Sequence, residues 1–159
     1  MIRGLFIIMI SLVLVACSGR NIIEQERTFV ETTINGNPDL QHHFLSVDGH
    51  RLHYVANGKS DKPALIIIHG TPGDWRQYSR YLLNESLLSQ YYMIVIDRPG
   101  WGESQLGGDL AIADFSLQAK IIAGLASHLK AHSHGQPVIL MGDSLGCLLY
   151  TSPSPRDRG

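Results

Sequence analysis

The chain has 159 residues, 44% of them hydrophobic, which is enough for one domain with its own core. A formal net charge of −1 and the lack of any basic stretch give no electrostatic case for a nucleic-acid partner, so none is expected. The two cysteines, Cys17 and Cys147, stand in contexts that do not suggest a disulfide, and no internal repeat is present.

Residues 1–17 read as a targeting segment. Arg3 supplies a short positive region, and Leu5 to Val15 is apolar apart from Ser11. That run is short for a bilayer span but suits a signal peptide. It ends in Leu14-Val15-Ala16-Cys17, which resembles the bacterial lipobox, whose cysteine is lipidated and becomes the new N-terminus. The resemblance implies a protein of the bacterial cell envelope, held in the membrane through Cys17. Ser18, where some lipoproteins carry Asp, goes with the outer membrane if the source is Gram-negative. Stable anchoring takes more than one acyl chain, which this modification provides. The alternative is an ordinary cleaved signal or an N-terminal membrane helix, with Cys17 a bystander.

Residues 18–41 read as a tether, with turn chemistry at Asn35-Gly36-Asn37-Pro38-Asp39 and the alternative of a short helix within Ile22 to Thr32. Asp48-Gly49 between the runs Phe44–Val47 and His50–Ala56 predicts a β-hairpin. His42, His43, His50 and His53 lie around it; they read as surface and strand-face histidines rather than as metal ligands. Ala64–Ile68 is a continuous apolar run, as in a strand buried on both faces. It leads into His69-Gly70-Thr71-Pro72-Gly73. A helix is expected from about Asp74, as N-cap, to Ser89, burying Tyr78, Tyr81, Leu82 and Leu88. Tyr92–Ile96 is the next buried strand, followed by the loop Asp97 to Ser104. Asp114 is placed to cap a long helix reaching about His132, which Gly135-Gln136-Pro137 stops. Val138 to Met141 is the third buried strand. Strand, helix, strand, helix, strand predicts an α/β domain with a largely parallel sheet.

The stretch with the most chemistry is Gly142-Asp143-Ser144-Leu145-Gly146, of the form Gly-x-Ser-x-Gly directly after a strand. A serine there can sit on a sharp strand-to-helix turn with its hydroxyl exposed, and the flanking glycines leave room for the tight backbone. Three loops (His69–Gly73, Asp97–Ser104 and Gly142–Gly146) thus fall at the carboxyl ends of successive strands, the edge where α/β sheets bind ligands.

With these three motifs in order, the sequence resembles the α/β-hydrolase fold superfamily, in the branch with His-Gly-x-Pro-Gly after one strand and Asp-x-x-Gly-x-Gly-x-Ser after the next. The resemblance covers about residues 43–146. It implies that Ser144 is the nucleophile and that the backbone N–H groups of Thr71 and Leu145 form the oxyanion hole, with Pro72 and Gly73 shaping the turn that presents Thr71. The implied chemistry is acyl transfer on a small-molecule ester, amide or similar substrate, with no cofactor and no metal. The loop Asp97, Arg98, Gly100, Gly102 and also His69 are structural in the family, so His69 is not assigned proton transfer. Epoxide hydrolases and dehalogenases place aspartate at the nucleophile position. Here Asp143 lies one residue too early, which favours a serine hydrolase. Gly-Asp-Ser-Leu also matches the signature of the GDSL esterases, but those carry it after the first strand.

In this superfamily the acid and the histidine follow the serine. All eight histidines precede Ser144, and only Asp157 among the acids follows it. The expectation is an N-terminal part of the fold, residues 42–146, truncated after the elbow and inactive by itself. The run from Cys147 to Asp157 resembles the translation of a transposase-based sequencing adapter, so residues 147–159 read as a non-native tail. A second reading is a non-catalytic envelope protein with the same fold. Oligomeric state is not legible.

Overall fold

The computed structural model describes residues 24–25, 27–108, 114–133 and 135–151. Residues 1–17 with Cys17, and positions 152–159 of the expected 147–159 tail, lie outside the described residues. Two compact units divide at Asn37 and Pro38. In the first, whose described residues fall within the expected tether, Val30–Ile34 forms one π-helical turn. Asn35 N–H donates to the Val30 carbonyl at 2.9 Å, and Asn37 Nδ2 donates to the Thr33 carbonyl at 3.0 Å. No helix among the described residues is long and apolar enough to cross a membrane.

The second unit is built on five strands: β1 (Gln41–Val47), β2 (His50–Asn57), β3 (Ala64–Ile68), β4 (Tyr92–Ile96) and β5 (Val138–Gly142). β1 and β2 form the predicted hairpin, with Val47 opposite His50. Asp48 (φ 49°) and Gly49 (φ 82°) are both left-handed, the pair of values a two-residue type I′ turn requires. The sheet order is β1-β2-β4-β3-β5. β1 with β2 and β2 with β4 pair antiparallel, whereas β3 pairs parallel with β4 on one side and β5 on the other. The parallel part is therefore β4-β3-β5, and the hairpin adds an antiparallel wing.

Strand alternation divides the core. Leu52, Tyr54, Ala56, Ile66, Ile68, Ile94 and Ile96 face one side. There they meet Ile121, Ile122, Leu125 and Leu129 of helix α3 (Phe115–His132) and Leu149 of helix α4 (Leu145–Thr151). The α3 helix starts where expected: the Asp114 carboxylate accepts the Leu117 N–H at 3.0 Å. On the other face lie Val55, Ile67, Met93 and Val95, all fully buried. This face of β4 is covered by the segment after β3, which differs from the single helix expected for Asp74–Ser89. Asp74 does cap it, but a 3₁₀ turn at Trp75–Tyr78 leads into two one-turn helices, α1 (Ser79–Leu82) and α2 (Glu85–Leu88). Asn84 breaks the run because its side chain takes the Leu87 N–H at 3.0 Å and caps a new helix. The reset also changes the buried set. Trp75 and Leu82 are buried, and Tyr81 is exposed.

Candidate active site

Strand β3 is the middle strand of the parallel part, and the chain leaves it first toward β4 and later returns to its other flank as β5. The loops after β3 and β5 then leave toward opposite faces, which opens a crevice at their carboxyl ends. His69–Gly73 leaves β3 there, and Asp143–Leu145 leaves β5 beside it.

Ser144 occupies the apex of the second loop with φ 50°, a left-handed conformation that L residues seldom adopt. What holds it there is crowding on both sides. A Cβ at Gly142 would lie 2.6 Å from the Gly146 carbonyl carbon, and one at Gly146 would lie 2.4 Å from the Ile68 oxygen. Only glycines let the chain turn back on itself so closely. Hydrogen bonds complete the turn. Asp143 N–H reaches the Ile68 carbonyl at 3.0 Å, Gly146 N–H the Asp143 carbonyl at 2.7 Å, and Cys147 N–H the Ser144 carbonyl at 3.0 Å. Ser144 itself is exposed. Leu145 opens α4, so its amide belongs to the first turn, which has no intrahelical carbonyl to serve.

The facing loop is held by two buried side chains. His69 Nδ1–H donates to the Gly70 carbonyl at 2.7 Å, and its Nε2 accepts the Arg98 N–H at 3.0 Å. Both ring nitrogens are thereby occupied. Burial holds His69 below its usual pKa, against the raising effect of the Gly70 carbonyl, so the ring stays neutral. This agrees with a structural role for His69 and leaves no lone pair for proton abstraction. Arg98, only 1% exposed, donates through Nη2 to the Gly70 carbonyl at 3.1 Å and to the Thr71 hydroxyl. Burial lowers its pKa as well. The guanidinium thus sets the backbone at Gly70-Thr71, and the elbow lies against it: a Cβ at Gly70 would be 3.1 Å from Ser144 Cβ. Ser144, Leu145 and Thr71 therefore stand on two abutting loops.

Two arrangements had no sequence signal of their own. Tyr78, from the 3₁₀ turn, donates its hydroxyl to the Asp143 carboxylate at 2.7 Å, next to the serine. Desolvation first, and then the bond and charge of Asp143, push the phenol up to about 12. The second is a buried pair. His53 and Asp97 are both fully buried, with Nδ1–H to Oδ2 at 2.8 Å. Asp97 also accepts Trp75 N–H at 2.8 Å on Oδ1 and Glu103 N–H at 2.9 Å on Oδ2. Desolvation would raise its pKa, but the bonds from His53, Glu103 and Trp75 outweigh it and hold the carboxyl below its ordinary value. All four hairpin histidines lie on strands, as expected, but they differ in burial. His53 and His50 are buried, because β2 is covered on both faces, whereas His42 on the edge strand is exposed.

A mixed sheet with a parallel core that carries a left-handed serine between strand and helix at its switch point is the arrangement of the α/β-hydrolase fold. The chain belongs to the alpha/beta hydrolase fold family, whose pattern matches residues 63–152. Among curated relatives it is similar to human epoxide hydrolase 4, 41% identical over 56 residues that make up 35% of this chain and 15% of the relative. Among solved structures it is similar to an epoxide hydrolase from Vigna radiata, with a TM-score of 0.61 at 21% identity over 73% of this chain and 36% of that one. It is also similar to a membrane phospholipase A described as a bacterial virulence factor. There the TM-score is 0.58 at 26% identity, over 99% of this chain and 49% of that one. The chain spans less than half the length of each of these proteins.

Proposed function

We propose that the full-length protein is a serine hydrolase of the bacterial envelope, anchored through a lipidated Cys17 and acting on a small ester, amide or similar acyl substrate. The observation that carries this reading is the left-handed backbone at Ser144 between Gly142 and Gly146. It supports Ser144 Oγ as the attacking atom, because the apex of such a turn is where a nucleophile is presented. The oxyanion formed from the substrate carbonyl would be met by the Leu145 and Thr71 N–H groups, the latter on the loop that Arg98 holds. Losing one such donor typically costs about 2.7–4 kcal/mol of transition-state stabilisation.

The epoxide hydrolase relatives favour a second reading, in which a carboxylate attacks carbon to give an alkyl ester. The position of Asp143 speaks against it. Asp143 precedes the apex, and its carboxylate accepts the Tyr78 hydroxyl. A third reading keeps the fold in the envelope without catalysis. The separating test is labelling of the full-length protein with a fluorescent serine-directed phosphonate, comparing wild type, Ser144→Ala and Asp143→Asn. Labelling lost only with Ser144→Ala supports the serine reading. Labelling that survives Ser144→Ala rules it out, and no labelling of the folded wild type supports the non-catalytic alternative. Anchoring is tested by radiolabelled palmitate: incorporation should disappear in Cys17→Ser, and persistent incorporation would reassign the anchor.

A further inference from the structure

The hairpin wing carries a cluster that the hydrolase reading does not use. His42 on β1, His53 on β2 and Glu103 on the loop after β4 place one donor atom each within 4.8 Å of one another. Three separate elements converge here. The antiparallel register sets His53 opposite Phe44, so His42 lies diagonal to it on the same face.

The inner half of the cluster is already arranged as a metal ligand would be. His53 donates Nδ1–H to Asp97. Every other contact of that carboxylate is with an N–H donor, from Trp75 and from Glu103. Asp97 therefore fixes the His53 tautomer and turns the Nε2 lone pair outward, as the carboxylate–histidine pairs behind bound metals do. The Glu103 N–H bond to Asp97 pins the start of that side chain at the same spot. In the present arrangement His53 Nε2 meets His42 Nδ1 at 3.0 Å, so one proton bridges two nitrogens. Two imidazoles on a tetrahedral zinc, each at about 2.0–2.1 Å, sit about 3.3 Å apart. The nitrogens thus need to separate by only a few tenths of an ångström, and one ring has to turn so that both lone pairs aim at a shared point. His42 can supply that, since it is exposed on an edge strand, and its proton can move to Nε2.

We propose that His42 Nδ1, His53 Nε2 and the Glu103 carboxylate form a site for one divalent transition-metal ion of the zinc class, clamping edge strand β1 to the loop after β4. Two imidazoles and a carboxylate suit zinc, cobalt or nickel better than calcium or magnesium, which prefer all-oxygen sets. His42 and Glu103 are both exposed, so an ion can enter from solvent and keep water in its remaining position. The proposal is independent of the role of Ser144, and it departs from the reading of these histidines as plain strand-face groups. The other histidine pair, His128 and His132 on α3, has its rings 4.3 Å apart but joins no third donor among the described residues.

The test is calorimetric titration of the metal-stripped full chain with Zn²⁺, and cobalt substitution followed by visible absorption. One equivalent should bind, with the intense d–d bands of a four-coordinate site. His42→Ala and Glu103→Gln should each weaken binding at least tenfold with an unchanged circular dichroism spectrum. Zinc should raise the melting temperature of the wild type and of His128→Ala/His132→Ala, but not of the first two variants. Absence of one-to-one binding, or binding that survives either His42→Ala or Glu103→Gln, overturns the three-ligand site. So does binding that disappears with the α3 pair.

Discussion

Replacing Asp97 by Asn removes a charge and one acceptor while keeping the shape. The wild-type carboxylate serves three donors, the buried Trp75 N–H on Oδ1 and, on Oδ2, the buried His53 Nδ1–H and the part-buried Glu103 N–H. An amide has one oxygen. If that oxygen takes the Oδ2 position, the NH₂ points at Trp75 N–H and strands it. If it takes the Oδ1 position, the NH₂ faces two donors, and only His53 can adapt by changing tautomer. The first arrangement is the cheaper and still loses one hydrogen bond to a charged group, worth about 1.5–3 kcal/mol, with a buried donor left unpaired. The pair is fully buried, so solvent screens none of this. We expect a loss of about 2–4 kcal/mol, just under the range of about 3–5 for breaking a buried ion pair outright. Urea unfolding followed by fluorescence of Trp75 and Trp101 is the assay. With a slope of about 2 kcal/mol/M the midpoint should fall by about 1–2 M. A shift below about 0.5 M at unchanged slope would refute the argument that these three donors depend on the charge.

Three further outcomes follow from the same contacts. Gly146→Ala forces a Cβ to 2.4 Å from the Ile68 carbonyl oxygen, a backbone atom that cannot swing away. It should cost about 1–3 kcal/mol in thermal unfolding and abolish phosphonate labelling of the full-length protein; an unchanged melting temperature would contradict the elbow geometry. Leu125→Ala, at a fully buried position of α3, should cost about 2–5 kcal/mol by the same melt, and a loss below 1 would mean that α3 does not seat as described. Tyr78 should ionise only near pH 12 in an ultraviolet titration, and Asp143→Asn should bring it down. Because the folded value is raised above 10.0, the stability that this phenol contributes is complete below pH 10 and fades as pH climbs toward 12. An unmoved Tyr78 titration in Asp143→Asn would remove Asp143 from that account.

Much of the fold was legible because the signals were local. Asp48-Gly49 specifies a left-handed two-residue turn by its own chemistry, and the hairpin is there. Asp114 announces the start of α3 because its carboxylate reaches an amide three residues on. Gly142, Ser144 and Gly146 announce a tight turn after a strand, and Ser144 takes its left-handed conformation there. Even the one misread helix failed at a local competitor, the Asn84 side chain, which offered the backbone a new cap.

What no window of sequence could reveal are the pairings made across the sheet. His53 and Asp97 are 44 positions apart and meet because β2 pairs with β4. Tyr78 and Asp143, 65 positions apart, meet because β5 lies beside β3. The same holds for the strand order, for the burial of His53 against the exposure of His42, and for the arginine behind Thr71. Propensity, capping and turn chemistry act over a few residues and so can be read along the chain. Register and burial arise when distant segments share one hydrophobic core, and only the packed fold assigns each polar group its partner.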